Sequence, residues 1–201
     1  MNLIGRQQLR RQVLVGDATK LFKRSFWTWL NSVFNIVDHE RIKEVGPDRA
    51  AAEWLLRCGA AVRFKSFDKW HKDYNHLPTG PPDRLYIEAI DGTDSCIYSR
   101  GFDYLDGLQY VLWLRFHRCM YLSDTCLERL ATIDSMVASL QHLEVKSCGN
   151  VTNRGISALH TLRNLQSLIL FDLPGIKNQG MLVQTLNKSL PSCTITLDPG
   201  C

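Results

Sequence analysis

No apolar run in the sequence approaches the roughly eighteen uninterrupted residues that a membrane-spanning helix requires, because Arg, Lys or Asp breaks each one first. Membrane association is therefore expected to be peripheral. The seven cysteines, at Cys58, Cys96, Cys119, Cys126, Cys148, Cys193 and Cys201, contain no C-x-x-C pair, which argues against a closed zinc site. In a chain of this length they read as small buried hydrophobes in a reducing compartment. There is no G-x-S-x-G elbow, phosphate loop or kinase signature, and Gly92 with Thr93 is too little for a nucleotide loop. The six histidines, at 39, 71, 76, 117, 142 and 160, show no metal-ligand spacing. Neither enzyme activity nor a small-molecule substrate is indicated.

Acidic residues are scarce at the start. Residues 1 to 25 carry Arg6, Arg10, Arg11, Lys20, Lys23 and Arg24 against Asp17 alone, a local charge of +5, which leaves the other 176 residues at −1 within a net charge of +4. A general affinity for nucleic acid loses its main support once that leader is set aside. Its apolar residues, Leu3, Ile4, Leu9, Val13, Leu14, Leu21 and Phe22, are interleaved with the bases rather than gathered in one block. That is the composition of a mitochondrial transit peptide over residues 1–25 and not of a secretory signal. The competing reading is a flexible basic tail. The glycosylation sequons at Asn150 and Asn187 matter only after secretion, which the leader argues against.

What is present is ordinary globular material, 45% hydrophobic and 22% charged over 201 residues, enough for one domain or two small ones. Trp27, Leu30, Phe34 and Val37 recur at helical spacing, so residues 26–37 read as an amphipathic helix. Gly46-Pro47-Asp48 and Gly59 frame a second helix, with Ala51, Trp54, Leu55 and Cys58 on one face. From Arg63 to His76 the aromatics Phe64, Phe67, Trp70 and Tyr74 alternate with Arg63, Lys65, Lys69 and Lys72. This suits a partner surface or an anionic lipid headgroup, and equally an amphipathic segment that packs its rings beneath a solvated face. Pro78, Gly80, Pro81 and Pro82 mark a module boundary.

Beyond residue 83 the chain repeats itself. Leu140, Leu143, Val145, Cys148, Val151, Thr152, Asn153, Gly155, Ile156 and Leu159 form one unit. Counting back 29 residues brings Val111, Leu114, Phe116, Cys119 and Leu122 into register, and counting forward 25 brings Leu165, Leu168, Leu170, Leu173 and Ile176. A degenerate unit upstream has Ile97, Gly101, Phe102 and Leu105 where the reference unit has Val151, Gly155, Ile156 and Leu159. A short strand, a turn and a returning helix cannot bury their own apolar face, so such units must stack. The pattern resembles the cysteine-containing leucine-rich repeats, in which Cys119 and Cys148 belong to the core. The fold expected is α/β: an N-terminal helical domain over 26–86, then a leucine-rich-repeat solenoid over 87–198 of about four repeats (about 87–112, 113–141, 142–166 and 167–198).

In the degenerate unit this register assigns Ala89, Asp91 and Asp94 to the places of Leu143, Val145 and Cys148. Two acids at core positions read either as a polar terminal cap or, with Thr93, as an oxygen-rich turn for a hard divalent cation.

The order of motifs resembles the mitochondrial coupling factor B family, also called ATP synthase subunit s, which has a paralogue in respiratory-complex assembly (distal membrane-arm assembly component 2). The resemblance rests on Phe26 to Phe34 (F-W-x-W-L-N-x-V-F), Gly46 to Gly59 (G-P-D-R-A-A-x-E-W-L-L-R-C-G), Lys72 to Gly80 (K-D-Y-N-H-L-P-T-G) and Ser147 to Val151 (S-C-G-N-V). It implies a peripheral protein on the matrix side of the mitochondrial inner membrane that contacts membrane-sector subunits of the ATP synthase and limits proton leak. It also implies Mg²⁺ held through oxygens at Gly59 and Thr93, and a weak site between the two modules is expected, with Asp91 and Asp94 acting through water. Gly59 follows the last turn of a helix, where carbonyls and the negative end of the dipole favour a cation. The C-x-C dithiol ascribed to the family is absent, since the matching positions are His117 and Cys119. A different function for cysteine-containing repeats is that of an adaptor, in respiratory-complex assembly or in ubiquitin-ligase substrate recognition, although the helical module shows no F-box pattern.

Overall fold

The computed structural model describes residues 29–65, 67–78 and 85–198. The leader, Trp27 and most of the 78–82 boundary motif lie outside them. A helix, α1, covers residues 29–34. It is followed by α2 (His39–Val45) and α3 (Pro47–Arg57). Asp38 caps α2 by accepting from the Arg41 N–H, and Gly46, at φ +83°, turns the chain directly into α3 with Pro47 at its first position. Ala50, Ala51, Ala52, Trp54 and Leu55 are buried almost all round, so α3 is an internal helix held by its neighbours rather than an amphipathic surface one.

Among the described residues seven strands form one sheet in the order β2-β1-β3-β4-β5-β6-β7. Its first edge comes from β1 (Ala61–Phe64) and β2 (Trp70–His71), an antiparallel pair within the segment expected to be helical. The four-residue run Ala61-Val62-Arg63-Phe64 is too short for its periodicity to separate strand from helix, and the sheet edge supplied by β3 decides it. From β3 (Ile87–Asp91) onward every pairing is parallel, through β4 (Trp113–His117), β5 (His142–Lys146), β6 (Ser167–Phe171) and β7 (Thr194–Leu197). The connections return over one side by a 3₁₀ segment (Ser99–Leu105), by α4 (Asp124–Leu130) with α5 (Asp134–Ser139), by α6 (Asn153–Ala158) and by α7 (Gln179–Ser189).

Leu114, Leu143 and Leu168 are direct register partners on adjacent parallel strands, flanked in the same row by Ile90 and Ile195. Ile90, Leu114, Leu143 and Leu168 are each at most 1% exposed, and Phe116, Val145 and Leu170 form the next buried row. At about 25 cal/mol per Å² of apolar area, these rows supply the main drive for stacking. The residues after the strands repeat as well. Asp94, Arg118, Ser147 and Asp172 all have φ between +49° and +57°. The N–H groups of the first three donate to the strand-end carbonyls of His117, Lys146 and Phe171.

This alignment corrects the register expected for the first layer by one residue. The partner of Leu114 and Leu143 is Ile90, not Ala89, and Asp91 lies in the outward row with Arg115 and Glu144. Gly92 then falls beside Phe116, whose ring would meet a Cβ there at 3.0 Å. Ser95 takes the place of Cys119 and Cys148 and approaches the Cys119 thiol. Side chains alternate between faces along a strand, so a slip of one position exchanges core for surface. Asp91 and Asp94 are therefore not acids in the core. The upstream mirror, by contrast, holds: Ile97, Phe102 and Leu105 are buried, and Gly101 lies where a Cβ would meet the Trp54 ring at 2.3 Å, as Gly155 lies against Asp124 at 2.5 Å.

Candidate functional site

The C-terminus of α3 and the segment after β3 meet at the seam between the N-terminal helices and the parallel strands. Ala61 and Val62 of β1 pair antiparallel with Asp91 and Ile90, which brings the chain before β1 and the chain after β3 to the same end of the pair. The Cys96 N–H donates to the Cys58 carbonyl at 2.9 Å and ties the same two segments. Gly59 is at φ +84° with open space where a Cβ would stand, so glycine is required there for backbone conformation and not for room.

The acidic groups at this seam are already engaged. Asp91 accepts from the Thr93 N–H at 3.0 Å, from Thr93 Oγ1 at 2.6 Å and from both Nε and Nη2 of Arg115. Burial pushes the Asp91 carboxyl up, but Arg115 and Thr93 outweigh it and hold it below the usual range. Asp94 receives a fork from Arg118 Nε and Nη2 at 2.7 and 2.6 Å, and that hydrogen-bonded guanidinium holds it low as well. Bidentate guanidinium pairs are the strong form of this interaction, and each cancels the charge that a divalent ion would use. Among the described residues no group of three or more His, Cys, Asp or Glu side chains is placed to hold a metal. Gly59 and Thr93, the positions expected to hold Mg²⁺, offer only neutral oxygens. The two carboxylates serve a water-mediated shell only by giving up their arginines.

A buried polar knot sits beside this seam. Asn35, 0% exposed, donates to the carbonyls of Asn31 and Cys96 at 2.8 and 3.1 Å, and its Oδ1 accepts from Trp54 Nε1 and the Tyr98 N–H. All of its hydrogen-bonding capacity is used, and it joins α1, α3 and the segment after β3. Buried Cys58 and half-buried Cys96, both free, stand on the two backbones that the hydrogen bond from the Cys96 N–H ties together. Interaction between the two thiols raises the Cys58 pKa, with burial adding to it, and draws Cys96 down to about 7. Sequence spacing gave no sign of this pair, because 38 residues separate its members and only the fold brings them together. Cys119 and Cys148 form a second pair, both 0% exposed and surrounded by the core, as the packing reading expects. His117 points outward in the row with Lys146, so it and Cys119 do not share one surface.

The aromatic and basic stretch divides between its two readings. Phe64 is buried, Trp70 packs edge-on against Trp113, and Arg63 and Lys65 lie over the rings of Trp70 and Tyr110. Phe67 and Tyr74, at 40% and 44%, remain exposed alongside Lys69 and Lys72. No helix among the described residues is long and apolar enough to cross a membrane.

No family model matches the chain. It is 58% identical over 175 residues to ATP synthase subunit s, mitochondrial, of Bos taurus, an alignment covering 87% of this chain and 88% of that protein. With the protein of the same name from Homo sapiens it shares 53% over 174 residues, covering 87% of each. Distal membrane arm assembly component 2 of Drosophila melanogaster is more distant, at 28% over 160 residues, with 78% of this chain and 55% of that protein aligned.

Proposed function

Because the chain belongs to the mitochondrial ATP synthase subunit s family, we propose that it is a non-enzymatic accessory factor that binds the membrane sector of the ATP synthase and supports proton-coupled ATP synthesis by limiting proton leak. The single observation that carries this is the identity of more than half over 175 residues. We take the parallel stack to be a leucine-rich-repeat solenoid of about four repeats over 87–198, joined to an N-terminal module over 26–86 and preceded by a transit peptide over 1–25. The strand register and the repeated left-handed residues support that reading. The location that goes with it is the matrix side of the mitochondrial inner membrane, held peripherally. Phe67 and Tyr74 beside Lys69 and Lys72 are suited to an anionic membrane surface. The test is cross-linking mass spectrometry on intact mitochondria. Links from this chain to ATP synthase membrane-sector subunits support the proposal, and links confined to other complexes overturn it.

A second reading has its own support. The Drosophila relative is named for assembly of a distal membrane arm, so an adaptor in respiratory-complex assembly is the alternative that the same cross-links would reveal. The magnesium site also remains a proposal, resting on the Gly59 and Thr93 oxygens. Isothermal titration with Mg²⁺ is expected to show weak binding that Asp91→Ala reduces if water bridges the carboxylate, and to show no heat if the site does not exist.

A further inference from the structure

We propose that Cys58 and Cys96 form a reversible redox pair that exchanges with low-molecular-weight disulfides such as oxidised glutathione. Three features carry this. The Cys96 N–H donates to the Cys58 carbonyl at 2.9 Å, which fixes the two backbones close together, as a disulfide requires. Both thiols are free. They also differ in access, since Cys96 is half-buried whereas Cys58 is 2% exposed. That asymmetry defines an order of attack.

The Cys96 sulfur attacks one sulfur of the glutathione disulfide, forming a mixed disulfide and releasing one reduced glutathione. Cys58 then attacks the Cys96 sulfur, the bond to glutathione breaks, and a second reduced glutathione leaves. Two electrons and two protons pass from the protein thiols to glutathione, and the Cys58–Cys96 bond is the product. Excess reduced glutathione reverses both steps. The bond would join the end of α3 to the segment after β3, next to the Asn35 knot that seats α1. Cys119 and Cys148, both at 0% exposure, lack an exposed member and serve as an internal control.

The experiment equilibrates the full chain with oxidised and reduced glutathione at several ratios, blocks free thiols, and maps disulfides by peptide mass spectrometry, with near-ultraviolet circular dichroism to confirm native packing. The expected result is a Cys58–Cys96 linked peptide pair that disappears as reduced glutathione rises, while Cys119 and Cys148 are blocked only after unfolding. In Cys58→Ser the mixed disulfide at Cys96 should accumulate instead. The proposal is overturned if the wild-type protein keeps glutathione on Cys96, if Cys96 stays unmodified under the most oxidising ratio, or if Cys119 and Cys148 link first. Should Cys58→Ser fail to fold, the wild-type map alone decides.

Discussion

At the scale of single residues, two buried acids pull the stability of the N-terminal helices in opposite directions with pH. Asp48, 6% exposed, accepts from the Ile87 N–H at 2.7 Å and has no cationic partner among the described residues. Burial raises its pKa from 3.8 to about 6 despite that bond. A folded-state value above the unfolded one means that protonation favours the fold. The gain is full below about pH 4 and is lost as pH rises through about 6. Asp48→Asn keeps an oxygen for Ile87 and removes the desolvated charge, at some loss of favourable interaction with the α3 N-terminus. It is expected to raise stability by about 1 kcal/mol at pH 7 and by little at pH 4, as read from urea midpoints. Glu53 is the converse. Burial pushes its carboxyl up, but Arg41, with bonds of 3.0 and 2.8 Å, and Arg49, at 3.0 Å, outweigh burial and hold it below 4.5. Its contribution is present above about pH 4.5 and is lost as pH falls through the lowered value. Glu53→Ala leaves Arg41 with Glu44 and Arg49 with the Pro78 carbonyl but removes three guanidinium bonds, so it is expected to cost about 2 kcal/mol at pH 7 in the same assay.

At the scale of elements, the layers are joined by polar staples as well as by apolar rows. Asp124, at the start of α4, accepts from the Thr152 N–H at 2.7 Å and from Thr152 Oγ1 at 2.6 Å, reaching the cap of α6 in the next layer. Its Cβ and Oδ1 lie so close to Gly155 that no side chain fits there. Asp124→Ala should therefore cost about 1 kcal/mol in thermal unfolding, since it leaves the half-buried Thr152 N–H and hydroxyl without their acceptor. An unchanged melting temperature would show that the staple is not part of what joins α4 to α6. The rows from Leu114 to Leu168 were legible in the sequence because alternating apolar residues recur at offsets of 29 and 25. The first layer was misread by one position because Gly92 and Ser95 replace the large residues that mark the period elsewhere, which left Asp91 and Asp94 aligned with the wrong face. The edges were missed for a related reason. β1, β2 and β7 are two to four residues long, and Thr194-Ile195-Thr196-Leu197 shows only two apolar positions. Their strand form comes from the neighbours they pair with. At the seam, spacing pointed to Asp91, Thr93 and Asp94, but the arginines that engage those carboxylates lie 24 residues further along and are brought in by the sheet register.

At the scale of the whole molecule, one continuous apolar core runs from α3 through the stack to Cys193, so the N-terminal helices and the strands present their surfaces as a unit. A stiff body of this kind binds with little loss of conformational freedom, which suits a stoichiometric accessory role. In the sheet's outward rows Asp91 pairs with Arg115 and Lys146 with Glu144. The most direct measurement is passive proton permeability in inner-membrane vesicles stripped of this protein and then titrated with it. The account predicts that leak falls and ATP synthesis recovers, both saturating near one molecule per ATP synthase. Unchanged leak at saturating protein, with the fold verified as native, would contradict it.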